Sequence, residues 1–135
     1  MTTASEVLAA VRARVAAVRP TGTDHSDMAH NVPEGALDGY LVALRPGDSQ
    51  PTAAGSGTRF QAAQIAVSVW WAPGATPAAE ALAVGEAVRD AILAAPLNLG
   101  GLVWALDGAS IDHTRAPASR QLARVDVVLT ARWVG

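Results

Sequence analysis

The 135-residue sequence has no cysteine and no lysine, and each absence excludes or disfavours a class of function. Without cysteine the chain forms no disulfide, no thiolate-ligated zinc or iron–sulfur site, and no thiolate nucleophile. All ten basic residues are arginine, and twelve acidic residues give a formal net charge of −2. Balanced charge of this kind argues against binding nucleic acid through a broad basic surface, which requires clustered cations.

Long apolar runs are also missing. No stretch reaches the roughly 20 residues that a membrane-spanning helix needs. The N-terminal arginines follow the first apolar residues, which is the reverse of the order in a signal peptide. We therefore expect a soluble chain, made in the cytoplasm, with no membrane partner.

Alanine makes up about a fifth of the chain, and half of all residues are hydrophobic. A chain of this length buries roughly two-thirds of the surface that it exposes when unfolded, which suits one core. No internal repeat or long linker divides it. The sequence therefore predicts a single domain over residues 1–135, with flexible loops at 20–36 and 45–58 that are rich in glycine, proline and polar residues.

Residues 3–19 have the pattern of an amphipathic helix. Thr3 and Glu6 have the spacing of a capping box, and Pro20 ends the segment. Apolar residues recur at three- and four-residue steps. The predicted buried stripe consists of Leu8, Val11, Val15 and Val18. Three arginines lie off this stripe: Arg12, Arg14 and Arg19.

A second helix is predicted over residues 77–94. Thr76 is suited to the N-cap position, Pro77 to the first helical position, and Glu80 to the first turn. We expect the buried side to hold Leu82, Val88 and Ile92, and the outer side to hold Glu86, Arg89 and Asp90. Pro96 follows the last turn.

Strands are predicted over 37–44, 59–71 and 122–134. In the second, Ile65, Val67, Val69 and Trp71 alternate with Gln64, Ala66, Ser68 and Trp70. In the third, an inward set is predicted to be Val125, Val127, Leu129, Ala131 and Trp133. The outward set is Arg124, Asp126, Thr130 and Arg132.

Residues 102–115 leave two possibilities open. Asp107-Gly108 is typical of a two-residue hairpin turn between 102–106 and 109–115, but a bulge in one long strand fits equally. The element order α-β-β-α-β-β predicts an α+β fold: an antiparallel sheet of four to five strands with two helices packed on one face. The other face of the sheet is then free of helices.

The aromatic residues divide by face. Trp71 and Trp133 fall in inward sets and are predicted to be core. Trp70 faces outward among small residues, so either the chain's own loops or another subunit covers it. The register does not decide the environment of Trp104.

Candidate chemistry is sparse. His25, Asp27 and His30 have the composition of a metal site but match no ligand motif, so solvated side chains are the favoured interpretation.

Ser110, Asp112 and His113 suggest a triad, yet adjacent strand residues point to opposite faces and no G-x-S-x-G occurs. The glycines at 55–57 precede no lysine, as a phosphate loop requires. We expect no catalytic, metal-binding or cofactor-binding residue and no enzyme activity.

The chain resembles the tail terminator proteins of long-tailed bacteriophages. The resemblance lies in "LDGYLVAL" (37–44), "FQAAQIAVSVWW" (60–71), "AAEALAVGEAVRDAIL" (78–93), "APLNLGG" (95–101) and "ARVDVVLTARWV" (123–134). In that pattern a strand ending in a tryptophan leads through a turn to an alanine-rich helix. The resemblance covers nearly the whole chain in layout and in hydrophobic pattern.

That resemblance implies a structural virion protein without catalytic residues. Such a protein forms a ring, a hexamer in this family, that caps the tail tube at its head-proximal end. It ends polymerisation of the tube and offers a docking surface to the head-side connector. The implied partners are further copies of the chain, the major tail tube protein and the head–tail connector protein. Genomic DNA passes through the lumen without specific binding.

Three other functions fit the same sequence. A head–tail joining protein would share the size, the ring symmetry and the lack of catalytic residues. A small metal-dependent enzyme would use His25, Asp27 and His30. A dimeric binding module would hold a ligand between helices and sheet. Neither the interface strand nor the type of tail follows from the sequence.

Overall fold

The computed structural model describes residues 2–28, 38–52, 57–112 and 122–135. The elements, in chain order, are α1 (Ala4–Val18), β1 (Thr23–Asp24), a 3₁₀ turn (Ser26–Met28), β2 (Gly39–Pro51), β3 (Arg59–Trp71), α2 (Pro77–Leu93), a short helix-like turn α3 (Leu97–Gly101), β4 (Ala105–Asp112) and β5 (Ala123–Val134).

The strands form one sheet in the order β1-β2-β3-β5-β4. Every neighbouring pair is antiparallel except β1 and β2, which are parallel over the two residues of β1. The α+β class and the five strands confirm the prediction. The parallel pair is an addition, because β1 lies in a segment that the sequence predicts to be a surface loop.

The core lies between the two long helices and the inward faces of β3 and β5. The alternation predicted for both strands is confirmed: Ile65, Val67, Val69, Val125, Val127 and Leu129 have no exposed surface. These residues alternate with half-buried or exposed ones along each strand. One face of the sheet is thus packed, and no described helix covers the other.

Helix α1 begins where its capping box predicts. Thr3 Oγ1 accepts from the Glu6 N–H at 3.2 Å, and the Glu6 carboxylate accepts from the Thr3 N–H at 2.7 Å. The fully buried residues are Val7, Val11 and Val15, whereas Leu8 and Val18 are only partly buried. The stripe is therefore centred slightly differently from the prediction, with Val7 in place of Leu8.

The predicted burial of Leu82 on α2 is wrong, because its side chain is 55% exposed. The buried face of α2 consists of Ala81, Gly85, Val88 and Ile92. A Cβ at Gly85 would lie 2.6 Å from Ile111 Cγ2 and 3.1 Å from Val125 Cγ2. Small residues let this helix approach the sheet closely. None of the described helices has the length and hydropathy needed to cross a membrane.

Strand β2 is longer than predicted. It continues through residues 45–51, which the sequence assigns to a flexible hairpin tip, and pairs with β3 as far as Pro51 and Arg59. A register shift between Pro46 and Ser49 absorbs the local irregularity. Pairing with β3 stabilises an extended backbone despite the prolines and glycine. Residues 53–56 of the predicted tip lie outside the described residues.

Strand β4 decides between the two possibilities at Asp107-Gly108. Residues 105–112 form one strand paired with β5, with a register shift between Asp107 and Ser110. Gly108 has a φ of +66°, a conformation that glycine adopts without the steric penalty of a side chain. The bulged-strand alternative is correct for the described part, and residues 113–115 lie outside it.

Candidate assembly surfaces

Of the three candidate ligands, the described His25 and Asp27 contact other partners, and the favoured interpretation as solvated side chains is wrong for His25. The His25 side chain is 8% exposed and stacks on Trp70, with ring centroids 5.5 Å apart and an interplanar angle of 23°. The Asp27 carboxylate instead pairs with the Arg12 guanidinium at 3.0 Å. His30 lies outside the described residues. Among the residues that are described, no three potential ligands form a group able to hold a metal ion.

Trp70 is covered by the chain itself, through His25. The His25 N–H donates to the Tyr40 carbonyl at 2.9 Å, which holds this segment along β2. A Cβ at Gly39 would lie 2.8 Å from His25 Cδ2 and 3.0 Å from Trp70. The absence of a side chain at residue 39 therefore makes room for the stack. Of the two possibilities for Trp70, the structure shows coverage by the protein's own loop.

Arg12 connects α1 to this covering segment. Its Nε donates to Asp24 Oδ2 at 2.8 Å, and its two terminal nitrogens donate to the two Asp27 oxygens at 3.0 and 3.2 Å. These hydrogen bonds raise the pKa of Arg12 above its ordinary value. Partial burial acts to raise the pKa of Asp24. Hydrogen bonds from Ser26 and then Arg12 outweigh it, so that this pKa is lowered overall.

Asp24 also organises the start of the 3₁₀ turn. It accepts from the Ser26 N–H at 2.8 Å and from the Ser26 hydroxyl at 2.5 Å. The Ser26 Oγ in turn accepts from the Val42 N–H at 2.9 Å. Burial, and next the negative charge of Asp24, raise the pKa of Tyr40. This network attaches the polar segment to β2, and the predicted assignment of 20–36 as a loop misses it.

Arg14 is a structural residue that the sequence places on a solvated face. Its guanidinium donates to the carbonyls of Ile92, Ala94 and Pro96 at 3.0, 2.6 and 2.6 Å. These carbonyls lie at and beyond the C-terminal end of α2, whose last turn has no basic residue of its own. A cation at a helix C-terminus is favourable because the terminal carbonyls carry partial negative charge. The contact joins the two long helices.

The helix-free face of the sheet carries opposite charges in pairs. Arg124 Nε contacts Asp126 Oδ1 at 3.1 Å, and a second nitrogen of Arg124 donates to Ser68 Oγ at 3.3 Å. Arg132 forms two hydrogen bonds with Asp107, at 3.0 and 2.8 Å. These pairs neutralise much of the arginine charge on the face. The outward orientation predicted for Arg124, Asp126 and Arg132 is confirmed.

The suggested triad is not assembled among the described residues. Ser110 and Asp112 both lie on β4, where they pair with Val128 and Asp126 on the helix-free face. Both are exposed. His113, the third member, lies outside the described part of the chain. No described imidazole is within reach of Ser110, since His25 is packed on Trp70.

Phe60 and Trp104 are exposed near the end of the sheet where β5 terminates, and Leu97 is exposed on the turn that precedes Trp104. Phe60, Leu97 and Trp104 are 48%, 69% and 56% exposed. Phe60 pairs with Val134 in the ladder, and the Trp104 N–H donates to the Arg132 carbonyl at 2.9 Å. Leu97 begins the turn α3, which leads directly to Trp104. We call these three residues the apolar end. Exposed apolar groups of this size are typical of protein contact surfaces.

Comparison with known proteins gives similarity to solved structures. No family description matches the sequence, and no curated protein is similar enough to match. Several solved structures do match, including a chain in a structure described as the virion of a native gene transfer agent particle. That match has a TM-score of 0.56 and 27% identity, and it covers 95% of this chain and 94% of the other. The protein is thus similar, over nearly its whole length, to a chain from a phage-like virion particle, which supports a structural role in a virion.

Proposed function

We propose that this protein forms a ring that caps the tail tube of a phage-like particle at its head-proximal end. The ring ends polymerisation of the tube and provides the docking surface for the head-side connector. The observation that carries the proposal is the similarity to a gene transfer agent virion chain at 27% identity over 95% of this sequence. The tail terminator pattern in the strands and the second helix supplies the specific assignment.

Two features of the fold support a structural role for the ring. The apolar end offers Phe60, Leu97 and Trp104 for contact with another ring of protein. On the helix-free face, Arg124 and Arg132 are paired with aspartates. The pairing of these two arginines suits a lumen through which DNA passes without specific binding, because unpaired cations would hold the phosphates. The proposal requires no catalytic residue and no cofactor.

The partners in this proposal are further copies of the chain in a hexamer, the tail tube protein and the head–tail connector protein. Mass measured by light scattering tests it directly, first on the purified protein and then after mixing with tube protein from the same gene neighbourhood. We expect a hexamer-sized species, or a smaller species that binds tube ends and halts their growth. A monomer or dimer that leaves tube length unchanged contradicts the proposal.

A head–tail joining protein is distinguished by the same mixture. Such a protein would form a ring that leaves tube polymerisation unaffected. Tube length measured by electron microscopy, with and without a stoichiometric amount of this protein, separates the two functions. We expect shorter tubes with one ring at one end.

A further inference from the structure

The sheet has two edges that no described strand covers fully. On one side, β1 pairs only with Gly39 and Tyr40 of β2, and the Ser26 hydroxyl then accepts from the Val42 N–H. Within the described ranges, no strand pairs with β2 beyond that point. On the other side, β4 is the last strand of the sheet. Uncovered edges present unpaired backbone donors and acceptors, which another strand can bind.

A groove lies along the uncovered part of β2. It has a volume of about 380 Å³ and separates the N-terminal half of α1 from the strand. Its apolar lining includes Leu8, Leu41, Leu44 and Pro46. As far as the described residues go, the edge of β2 is therefore accessible from the side, and α1 does not block the approach of a strand.

The two edges run in opposite directions. Three successive antiparallel pairs, β2 with β3, β3 with β5 and β5 with β4, make β4 antiparallel to β2. If a second copy places its β4 beside β2 with both helix layers on one side, the new pair is antiparallel. The sheet then continues from one subunit to the next. Each copy uses a different edge for each neighbour, and such contacts close into a ring when the rotation permits.

The charges at the two edges are complementary. Arg45 of β2 pairs in the ladder with Gln64 and points away from the helices, with no ion pair among the described residues. Asp112 of β4 points the same way and lies directly opposite Asp126, whose carboxylate is paired with Arg124 at 3.1 Å. An arginine from a neighbouring subunit would place an opposite charge beside Asp112, and opposite charges on adjacent strands are favourable.

From these observations we infer that the subunits join edge to edge, with β4 of one copy antiparallel to β2 of the next and Asp112 beside Arg45. The inference rests on the proposed ring. Pairing of β4 with a second β4 is disfavoured, because this strand carries Asp107 and Asp112 and no basic residue. Opposite charges on adjacent strands stabilise a strand pair.

The register that sets Arg45 opposite Asp112 also aligns the two irregular segments. Counting in opposite directions from this pair, Pro46 faces Ile111 and Ser49 faces Gly108. The register shift of β2 between Pro46 and Ser49 then lies alongside that of β4 between Asp107 and Ser110. Bulges increase local twist, and matching bulges lets the two strands twist together. Pro46 removes one donor from the edge, which limits unregulated growth of the sheet.

Cysteine cross-linking tests this interface without background, because the natural chain has no cysteine. The variant with both Arg45→Cys and Asp112→Cys, oxidised in the presence of tube protein, is expected to give a ladder of covalent multimers up to the full ring. Each single variant is the matched control and should remain uncross-linked. A covalent dimer from Asp112→Cys alone would show that two β4 strands meet, and would overturn the inference.

Charge exchange provides a second measurement that does not depend on disulfide geometry. Arg45→Asp and Asp112→Arg are each expected to lose most of the ring-sized species in light scattering, and the double exchange should restore it. Glu86→Arg, on the outer side of α2, is the control and should leave the ring intact. Failure of the double exchange to restore the ring overturns the inference.

The outcomes separate this inference from the proposed function. A ring that caps tubes but gives no cross-link between residues 45 and 112 overturns the interface and leaves the function standing. Cross-linked rings that do not affect tube growth support the interface and contradict the function. A chain that remains monomeric with tube protein present contradicts both.

Discussion

At the scale of single residues, two arginines on α1 form contacts that their positions in the sequence do not predict. The helical pattern correctly places Arg12 and Arg14 off the apolar stripe, and such residues are usually solvated. Arg12 instead holds the covering segment through Asp24 and Asp27, and Arg14 binds carbonyls at the end of α2. The partners are far away in the sequence, so no local pattern identifies them.

Replacing Arg14 is expected to destabilise the fold. Arg14→Ala removes a charged donor from three carbonyls at and beyond the end of α2, so the free energy of unfolding should fall by about 1–2 kcal/mol. Urea unfolding followed by circular dichroism measures the change. Arg89→Ala is the control, since the Arg89 ion pair in the described part of the chain is with its exposed neighbour Asp90, and this substitution should cost less than about 0.5 kcal/mol. Equal effects of the two changes would contradict the assigned role.

Because the pKa of Asp24 is lowered in the folded chain, we expect acid to weaken the stabilisation that the Asp24 carboxylate provides. Because this pKa is lower in the folded chain than in the unfolded chain, the stabilisation is present above the ordinary value of 3.8. It is lost as the pH falls from there through the folded value. Asp24→Asn should reduce the free energy of unfolding by about 1 kcal/mol at neutral pH.

Below the ordinary pKa of Asp24, the stabilities of Asp24→Asn and the natural chain should converge. Denaturant titrations at pH 7 and at the lowest pH where the chain stays folded measure this. Asp90→Asn, at an exposed site on α2, is the control and should show no comparable convergence. If the free energies of unfolding of Asp24→Asn and the natural chain differ by the same amount at both pH values, Asp24 stabilises the fold by its shape and not by its charge.

At the scale of elements, the close approach of α2 to the sheet depends on Gly85. Helix propensity alone predicts that Gly85→Ala stabilises α2 by about 1 kcal/mol. The added Cβ would meet Ile111 Cγ2 at 2.6 Å and Val125 Cγ2 at 3.1 Å, so the helix or the strand must move. Overpacking of a core typically costs about 1–3 kcal/mol. We therefore expect a net loss of stability.

Thermal unfolding of Gly85→Ala checks this balance. Ala87→Gly, at an exposed position of the same helix, is the control for propensity and should destabilise by about 1 kcal/mol. A higher melting temperature for Gly85→Ala would show that Ile111 moves aside at little cost in free energy. The contact would then not determine the position of α2.

The helices and strands also show which features of the fold local sequence patterns predict. The capping box, both long helices and the alternation of β3 and β5 are predictable from neighbouring residues alone. Neighbouring residues do not predict the length of β2. They also do not predict that α2 buries Gly85 and exposes Leu82. Strand pairing and helix docking are contacts between distant segments, and they override weak local preferences.

At the scale of the whole molecule, the apolar end is the surface that we expect to contact the tube. Trp104→Ser should leave the ring-sized species unchanged in light scattering, while reducing the fraction of capped tubes several-fold. Aromatic residues contribute strongly at protein interfaces, so the loss of one affects binding markedly. Electron microscopy of tubes formed at equal protein ratios measures the effect.

Leu82→Ser is the matched control for Trp104→Ser. It also removes an exposed apolar side chain, 55% exposed on α2, but lies outside the apolar end. Capping should remain normal in this variant. If both substitutions reduce capping equally, general surface apolarity and not the apolar end mediates the contact.

The sequence by itself determined the class of the fold, the main helices and the faces of β3 and β5. These features arise from contacts and periodicities within a few residues of each other, or from the simple division between buried and exposed faces. The absence of cysteine and the balanced charge likewise exclude or disfavour several classes of function through composition alone.

Only the tertiary structure decided how His25 covers Trp70, how Arg14 binds the end of α2 and which edges of the sheet no described strand covers. It also showed that β4 is one bulged strand, with Asp112 opposite Asp126. Each of these facts joins segments that are distant in the chain. Their free energy comes from pairing and packing that exist only once the fold has formed, so no local pattern in the sequence carries them.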